Sequence, residues 1–194
     1  MARNVAILIF DDAEVLDFCG PFEVFSVTGR SDAEQPFRVY TVAEKRGPVL
    51  ARNGLSVNPD YALAGCPRPD ILIVPGGIGT RRAMKNPAIL DWVKQRAGEV
   101  ELLLSVCTGA LVLAAAGLLD GQRATTHRLG MELLAETAPT ATLCPAERFV
   151  DNGRIITSAG ISAGIDMSLY VVSRLLGREK AEETAYYMEY DWRG

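Results

Sequence analysis

Four short apolar runs constrain the fold of this chain more than any other feature of its sequence. Each run is too short for a typical helix and is rich in Val, Ile and Leu, as are the buried strands of parallel sheets. Helical or irregular segments separate the runs, and that alternation predicts a mainly parallel sheet with helices on both faces. The runs are VAILIF (5–10), FRVYTV (37–42), DILIV (70–74) and ELLLSV (101–106).

Turn and helix signals divide the rest of the chain. We expect Pro21 to lie near the first turn of a helix, where a missing N–H costs little. Asn86 is expected to cap an amphipathic helix. The Asp-Asn-Gly sequence at 151–153 predicts a β-hairpin, and segment 55–63 predicts a small side hairpin. Two helices close the chain, and the lack of repeats or a Pro/Ser-rich linker predicts one domain over residues 1–194.

Composition and charge restrict the classes of partner. The 194 residues carry a net charge of −4 with acids and bases scattered, so no basic stripe favours nucleic acid as a partner. The N-terminal segment has one basic residue before an apolar run that ends in acids, which predicts a cytoplasmic protein without an export signal. The uncharged stretch 102–119 is interpreted as a strand and a helix, not a membrane span, because it holds Ser105, Thr108 and two glycines.

Cysteine and histidine usage argues against metal and disulfide sites. The four cysteines lie far apart without the spacing of a zinc or redox motif, so we expect free thiols, no metal site and no cofactor. His127 is the single histidine of the chain, which constrains any Ser-His-Asp triad. The cysteines are Cys19, Cys66, Cys107 and Cys144.

Cys107 lies between a predicted strand and a predicted helix. Residues 102–106 suit a central strand, and the Ala- and Leu-rich segment from Gly109 predicts a helix. The turn between them lies at the carboxyl edge of a parallel sheet, where ligands bind. A helix N-terminus favours thiolate over thiol, so we predict that Cys107 is a nucleophile at a strained bend. The alternative is a buried structural cysteine.

Two further elements point to the same edge of the sheet. Gly77 follows a strand, and its amide together with that of Thr108 could donate to a charged intermediate, although a Gly-Gly pair after a strand also occurs in plain turns. Asp17 lies between Leu16 and Phe18, which are expected to draw its carboxyl inward. A buried carboxyl beside a thiolate should keep its proton, since two adjacent like charges cannot both ionise cheaply. Asp17 is therefore a predicted proton donor.

Four motifs lie along the chain between residues 16 and 169: LDFCGPFEVF (16–25), ILIVPGG (71–77), SVCTGALVLAAAGLLDGQRATTH (105–127) and NGRIITSAGISAGIDMSL (152–169). Together they resemble the DJ-1/PfpI superfamily. The segments 16–21, 105–109 and 124–127 are most similar to the branch that contains isocyanide hydratases and the amino-terminal domains of AraC-type regulators. The resemblance implies a flavodoxin-like three-layer α/β sandwich with a mainly parallel central sheet, and a homodimer.

The resemblance also implies roles for individual residues. Cys107 would be the nucleophile and Asp17 its carboxyl partner. The amides of Gly77 and Thr108 would bind an anion, and the Thr108 hydroxyl would orient the site.

Other residues near these motifs keep two interpretations. Gly160 and Ile161 are expected to approach the site closely, or else to cap and pack a helix. His127 either faces the pocket or is a hydrogen-bonded structural histidine. Structural burial explains Cys19 without a role in the site.

The chain departs from other branches of the superfamily at informative positions. Protease-like members carry histidine directly after the cysteine, where this chain has Thr108, and DJ-1 itself has glutamate at the position of Asp17. Class I glutamine amidotransferases need a His-x-Glu near the C-terminus, and no histidine follows His127. A Cys-His-acid peptidase or amidase is therefore disfavoured.

The resemblance implies cysteine-dependent hydration of small-molecule isocyanides to N-substituted formamides. One alternative is glyoxalase-like addition to an α-oxoaldehyde by the same thiol. Another is a non-catalytic ligand- or redox-sensing module like the regulator domains. Those regulators carry a C-terminal helix-turn-helix domain, whereas this sequence ends at YDWRG, so we do not expect DNA binding by it.

Overall fold

One sheet forms the centre of the protein, as seen in a computed structural model that describes residues 2–194. Seven strands of that range pair in the order β10-β11-β7-β6-β1-β2-β5, and all neighbours are parallel except β10 and β11. The prediction of a mainly parallel sheet is confirmed. In chain order the strands are β1 (Arg3–Leu8), β2 (Phe37–Ala43), β3 (Val49–Leu50), β4 (Ser56–Val57), β5 (Tyr61–Ala62), β6 (Ile71–Val74), β7 (Leu102–Val106), β8 (Arg123–Ala124), β9 (Thr142–Leu143), β10 (Phe149–Asp151) and β11 (Ile155–Ser158).

Helices cover the sheet in two groups. One group is formed by α1, α6 and α7, and in the other α4 packs against α2, α3 and α5. The groups lie on opposite faces of the sheet, which confirms the predicted three-layer sandwich. The helices are α1 (Val15–Val27), α2 (Thr80–Ala83), α3 (Pro87–Ala97), α4 (Gly109–Ala115), α5 (Met131–Thr137), α6 (Ala163–Leu176) and α7 (Arg178–Tyr187).

The central strands are apolar because both of their faces are covered. Every residue of β6 and β7 is buried, and so are the last four residues of β1. Complete burial of one Leu or Ile side chain contributes about 1.5–3 kcal/mol to folding. These strands therefore form the rigid support on which the loops at the carboxyl edge of the sheet are mounted.

The predicted position of Pro21 is wrong, because α1 begins six residues earlier and Pro21 lies inside it. A proline in a helix interior costs about 3 kcal/mol, since it removes one hydrogen bond and crowds the preceding turn. Phe18, Val24 and Phe25 of the same helix are buried in the core, and together they contribute more than that cost. Tertiary packing therefore extends α1 back to Val15 and brings Asp17 into a helix.

The other local predictions agree with the structure in most respects. The side chain of Asn86 accepts a hydrogen bond from Ala88 N–H at 3.0 Å and caps α3. The 151–153 turn joins the antiparallel strands β10 and β11. The side hairpin lies slightly earlier than segment 55–63, because β3 pairs with β4 while β5 joins the edge of the main sheet.

The strand order reverses direction at β1. From β1 the chain crosses to β2 on one side and later returns to β6 on the other side of β1. Open α/β sheets bind ligands outside the carboxyl ends of the strands at such a point, and here the loops that leave β1 and β6 meet, with Glu14 N–H donating to Gly76 O at 3.0 Å. Between residues 2 and 194, no helix combines the length and hydropathy needed to cross a membrane.

Candidate active site

Cys107 occupies a sharp bend between β7 and α4. Its φ is 56°, in the left-handed region that residues other than glycine rarely adopt. The helix can start so close to the strand because Gly109 has no side chain: a Cβ there would overlap the carbonyl oxygen of Val74. The predicted strained bend is confirmed, and it leaves the cysteine 5% exposed.

Asp17 reaches the bend from the first turns of α1. The carboxyl is completely buried, and its Oδ2 accepts a hydrogen bond from Gly76 N–H at 3.0 Å. Its Oδ1 is also buried, and no residue from 2 to 194 supplies it with a hydrogen bond of normal geometry. Burial raises the pKa of Asp17 to about 7, although the Cys107 side chain and Gly76 N–H act in the opposite direction.

Burial opposes the thiolate that the helix N-terminus is expected to favour. Burial raises the pKa of Cys107 to about 12, and the negative charge of Asp17 raises it further than the Thr108 N–H can lower it. A helix N-terminus is worth about 0.3–1 kcal/mol, less than one pKa unit, whereas burial can shift a pKa by several units. Burial therefore favours the thiol form of Cys107 and raises the pKa of the neighbouring carboxyl toward neutral pH.

The predicted pair of amide donors is also only partly present. Gly77 N–H donates to Thr108 Oγ1 at 3.0 Å, so a side chain of the site already occupies it. The Thr108 hydroxyl returns a hydrogen bond to Gly77 O at 3.1 Å, and the buried Thr80 hydroxyl donates to the same carbonyl at 2.7 Å. The Thr108 N–H interacts with the sulfur of Cys107. Thr108 thus orients the turn after β6, and its own amide is the donor on the sulfur side.

The glycines of this turn serve the structure as well as the site. Gly77 has a φ of 109°, and a Cβ on it would overlap the backbone of the loop after β1. A Cβ on Gly76 would lie 2.7 Å from Asp17 Oδ2 and 2.8 Å from Cys107 Cβ. Close approach of the loops after β1, β6 and β7 therefore requires both glycines.

Gly160 and His127 border the sulfur on its other side. A Cβ on Gly160 would lie 3.0 Å from Cys107 Sγ and would overlap the imidazole ring of His127. Leu129 N–H donates to His127 Nδ1 at 3.2 Å, which leaves Nε2 as the ring N–H donor. His127 is therefore hydrogen-bonded, and its ring and the Cys107 sulfur both lie against Gly160.

The remaining predicted residues are less directly involved. Ile161 lies beside the start of α6, where its carbonyl accepts from Gly164 N–H at 3.4 Å, and within residues 2–194 no hydrogen bond joins it to Cys107. All four cysteines are free, and Cys19 is exposed on α1. No three side chains of His, Cys, Asp or Glu in the described chain meet in a group able to hold a metal ion.

The sequence did not reveal four contacts that hold the site together. Gly76 N–H binds Asp17, and the Thr80 hydroxyl supports the turn after β6. Cys107 N–H is shared between Ser158 O at 3.1 Å and Ala159 O at 3.3 Å, and Thr126 Oγ1 donates to Cys107 O at 2.7 Å. Main-chain partners leave no sequence signal, and the adjacent threonines of the motif at 124–127 were the one available clue.

The arrangement defines a class of protein: an α/β sandwich with a cysteine at a strand–turn–helix bend and a carboxyl that can pass a proton to and from it. Such a site can form a covalent bond from sulfur to an electrophilic carbon while the Asp17 carboxyl accepts and returns a proton.

Comparison with known proteins agrees with this class. The model of the DJ-1/PfpI family matches residues 3–174, and the chain belongs to that family. It is 36% identical over 191 residues to the isonitrile hydratase of Pseudomonas putida, which covers 98% of this chain and 79% of that protein. It is 34% identical over 185 residues to the HTH-type transcriptional regulator CdhR of Pseudomonas aeruginosa, which covers 95% of this chain and 54% of the regulator.

A solved structure gives the same result. A ThiJ/PfpI family protein from Pseudomonas syringae superimposes with a TM-score of 0.89 and 31% identity, over 100% of this chain and 77% of that one. The resemblance derived from the sequence motifs is confirmed, including the branch that contains both a hydratase and regulators. The roles of Cys107, Asp17, Thr108, Gly77, Gly160 and Ile161 stay predictions.

Proposed function

We propose that this protein hydrates isocyanides to N-substituted formamides through Cys107. The observation that carries the proposal is a buried thiol paired with a buried carboxyl whose pKa is raised to about 7. A group that gains and loses its proton near the working pH is an efficient general acid–base catalyst. The likeness to an isonitrile hydratase over nearly the whole chain supports the same reaction.

In the first half-reaction the Asp17 carboxylate takes the proton of the Cys107 thiol while sulfur attacks the terminal carbon of R–N≡C. One π pair moves to nitrogen, and the carbon lone pair takes the proton from Asp17. The product is a thioimidate, R–N=CH–S–Cys107, and Asp17 is again ionised. The Thr108 N–H stabilises the negative charge on sulfur during the transfer.

In the second half-reaction Asp17 takes a proton from a water molecule whose oxygen attacks the thioimidate carbon. The proton passes to nitrogen and gives R–NH–CH(OH)–S–Cys107. The C–S bond then breaks, the hydroxyl proton returns to sulfur, and R–NH–CHO leaves. The balance is one isocyanide and one water consumed for one formamide released, so one carboxyl can serve every proton step.

The proposal includes a cytoplasmic homodimer that acts on a small molecule, as the family resemblance implies. Sedimentation of the purified chain tests the dimer. A substrate panel that varies the R group tests the size of the molecule accepted.

The direct test measures formamide production from an aryl isocyanide. We expect Cys107→Ala to abolish turnover and Asp17→Asn to lower kcat at least a hundredfold, in line with the usual worth of a general acid–base. Cys19→Ala is the matched control, because this cysteine lies two residues from Asp17 but is exposed, and it should retain full activity. Comparable turnover in all three variants would eliminate the proposal.

The same assay has a pH signature. Asp17 must be ionised to accept the thiol proton, so kcat/KM should rise with pH up to about 7 and then level off. A profile that falls across this range contradicts the assignment of Asp17 as the initial base.

A second candidate is glyoxalase-like addition of Cys107 to an α-oxoaldehyde. The position of His127 favours it, because the imidazole lies against Gly160 beside Sγ and can donate from Nε2. Consumption of methylglyoxal that exceeds isocyanide turnover, and that is lost in His127→Gln, would replace the first proposal with this one.

A third candidate is a ligand- or redox-sensing module, which the likeness to the regulator CdhR favours. Selective oxidation of Cys107 by mild peroxide, without turnover of either substrate, would support it. The raised pKa of the buried thiol argues against easy oxidation, since the thiolate is the reactive form.

A further inference from the structure

The peptide unit that joins Cys107 to Thr108 contains the carbonyl of the strained residue and the amide that faces its sulfur. The preceding half of Cys107 is fixed by the sheet, because its N–H donates to main-chain carbonyls of Ser158 and Ala159 at the end of β11. The carbonyl half has no such support from the sheet or from α4. Leu111 N–H, which a regular helix would direct to Cys107 O, instead donates to Thr108 O at 3.0 Å.

A side chain satisfies the Cys107 carbonyl instead. Thr126 Oγ1 donates to Cys107 O at 2.7 Å, and Thr126 is completely buried. Packing fixes the threonine in this position: a Cβ on Gly130 would lie 3.0 Å from Thr108 Cγ2 and 3.5 Å from Thr126 Cγ2, so both methyl groups rest on the same glycine. The hydroxyl is thus aimed at one carbonyl oxygen and has little freedom to turn away.

The hydrogen bond to the oxygen also determines the direction of the amide. A trans peptide unit is planar, and its C=O and N–H point in opposite directions. The Cys107–Thr108 peptide is trans, so an oxygen held on Thr126 turns the Thr108 N–H to the side away from Thr126. Against the larger effect of burial, that N–H lowers the pKa of Cys107.

We propose that Thr126 is a positioning residue whose hydroxyl holds the Cys107–Thr108 peptide in the orientation that presents Thr108 N–H to the nucleophilic sulfur. The inference rests on the proposed role of Cys107 as nucleophile, and Thr126 itself does not touch the substrate. Without the hydroxyl, the buried carbonyl loses its partner and the peptide can rotate to find another donor. Rotation withdraws the amide from the sulfur.

The test is the rate of iodoacetamide alkylation of Cys107 between pH 6 and pH 10, read by mass spectrometry of the intact protein and its peptides. Thr126→Val keeps the shape of the side chain and removes the hydroxyl. Thr125→Val is the matched control: Thr125 is the adjacent, equally buried threonine, but its hydroxyl donates to Glu147 O at 3.3 Å. Thr126→Ser should restore the hydrogen bond.

We expect Thr126→Val to move the alkylation profile to higher pH and to slow the reaction at pH 8 by about three- to tenfold. A shift of one pKa unit leaves tenfold less thiolate, and the greater nucleophilicity of the more basic thiolate offsets part of that loss. Thr125→Val and Thr126→Ser should follow the wild-type profile. If valine prevents folding, Thr126→Ala replaces it with the same expected shift.

Three results would overturn the proposal: a wild-type profile in the variants that lack the Thr126 hydroxyl, an equal shift in Thr125→Val, or no rescue by serine. Alkylation uses no isocyanide, so its outcome is independent of the reaction proposed above. If Thr126→Val shows the alkylation shift but the wild type does not turn over isocyanide, the proposed reaction fails and the role of Thr126 stands. If the wild type turns over isocyanide but Thr126→Val is alkylated like the wild type, the role of Thr126 fails and the proposed reaction stands.

Discussion

Among the turns that hold a residue at positive φ, two are stabilised in different ways. In the hairpin between β10 and β11 the residue is Gly153, with a φ of 88°, and Asp151 Oδ1 accepts its N–H at 2.6 Å. In the bend between β7 and α4 the residue is Cys107. Its carbonyl accepts from the Thr126 hydroxyl and its N–H donates to Ser158 O, and both partners lie 19 or more residues away in sequence. The hydrogen bond on the hairpin's glycine N–H is local, whereas the hydrogen bonds on the Cys107 main chain come from distant parts of the fold.

The carboxyl groups beside the two turns, Asp151 and Asp17, differ in burial and in pairing. Asp151 is partly exposed and pairs with Tyr170 Oη at 2.7 Å and with Arg174 at 3.1 Å. Asp17 is completely buried and has one oxygen without a partner among residues 2–194. Both carboxyls depend on contacts distant in sequence, but Asp151 is paired near the surface, whereas a site inside the core can keep a strained residue and a costly carboxyl because the rest of the core supports them.

The largest expected effect concerns Asp17, the carboxyl beside the bend. Because the pKa of Asp17 is raised from its ordinary 3.8 to about 7, the folded protein binds this proton more tightly, and stability falls as pH rises between those values. Asp17→Asn removes that loss. Between pH 4 and pH 8, the free energy of unfolding of Asp17→Asn should therefore rise by about 4 kcal/mol relative to that of the wild type. Urea denaturation measures this change. A difference in stability between the wild type and Asp17→Asn that does not vary with pH would show that folding does not change the proton affinity of Asp17, and it would remove the contrast with Asp151.

The next effect compares glycines of the two turns. Gly109→Ala puts a Cβ into the carbonyl of Val74, and we expect about 3 kcal/mol of lost stability and altered alkylation of Cys107. In Gly153→Ala the new Cβ enters open space, so only the positive φ destabilises the variant, by about 1 kcal/mol. Alkylation of Cys107 should be unchanged in this variant. Chemical denaturation of both variants gives the comparison, and equal losses would show that the bend is no more dependent on the fold than the hairpin.

The smallest effect concerns the far wall of the site. In Gly160→Ala the new Cβ must displace the His127 ring and Cys107 Sγ, which can move as side chains. We expect a folded protein whose kcat for isocyanide is about tenfold lower, close to 1.4 kcal/mol in the barrier. Full activity in a variant with wild-type stability would show that this wall does not position the sulfur.

Sequence patterns predicted the elements of the fold better than they predicted the chemistry of the site. The four apolar runs, the Asn86 cap and the 151–153 turn depend on local periodicity and side-chain chemistry, and all appear in the structure. Pro21 was misplaced because local propensity favours the start of a helix, whereas burial of Phe18 and Phe25 extends α1 past it. The site prediction placed Cys107 correctly at the bend but did not anticipate the effect of burial on the pKa of the thiol.

By itself, the sequence determined a parallel sheet with helices on both faces, a cysteine at the bend after one strand, and membership of a family, because periodicity and motifs are properties of neighbouring residues. Tertiary structure decided that burial raises the pKa of Cys107, that Gly77 N–H is already occupied, and that Thr126 donates a hydrogen bond to Cys107 O. Burial and distant main-chain contacts set proton affinities and peptide orientation, and both arise only when strands far apart in the chain are brought side by side.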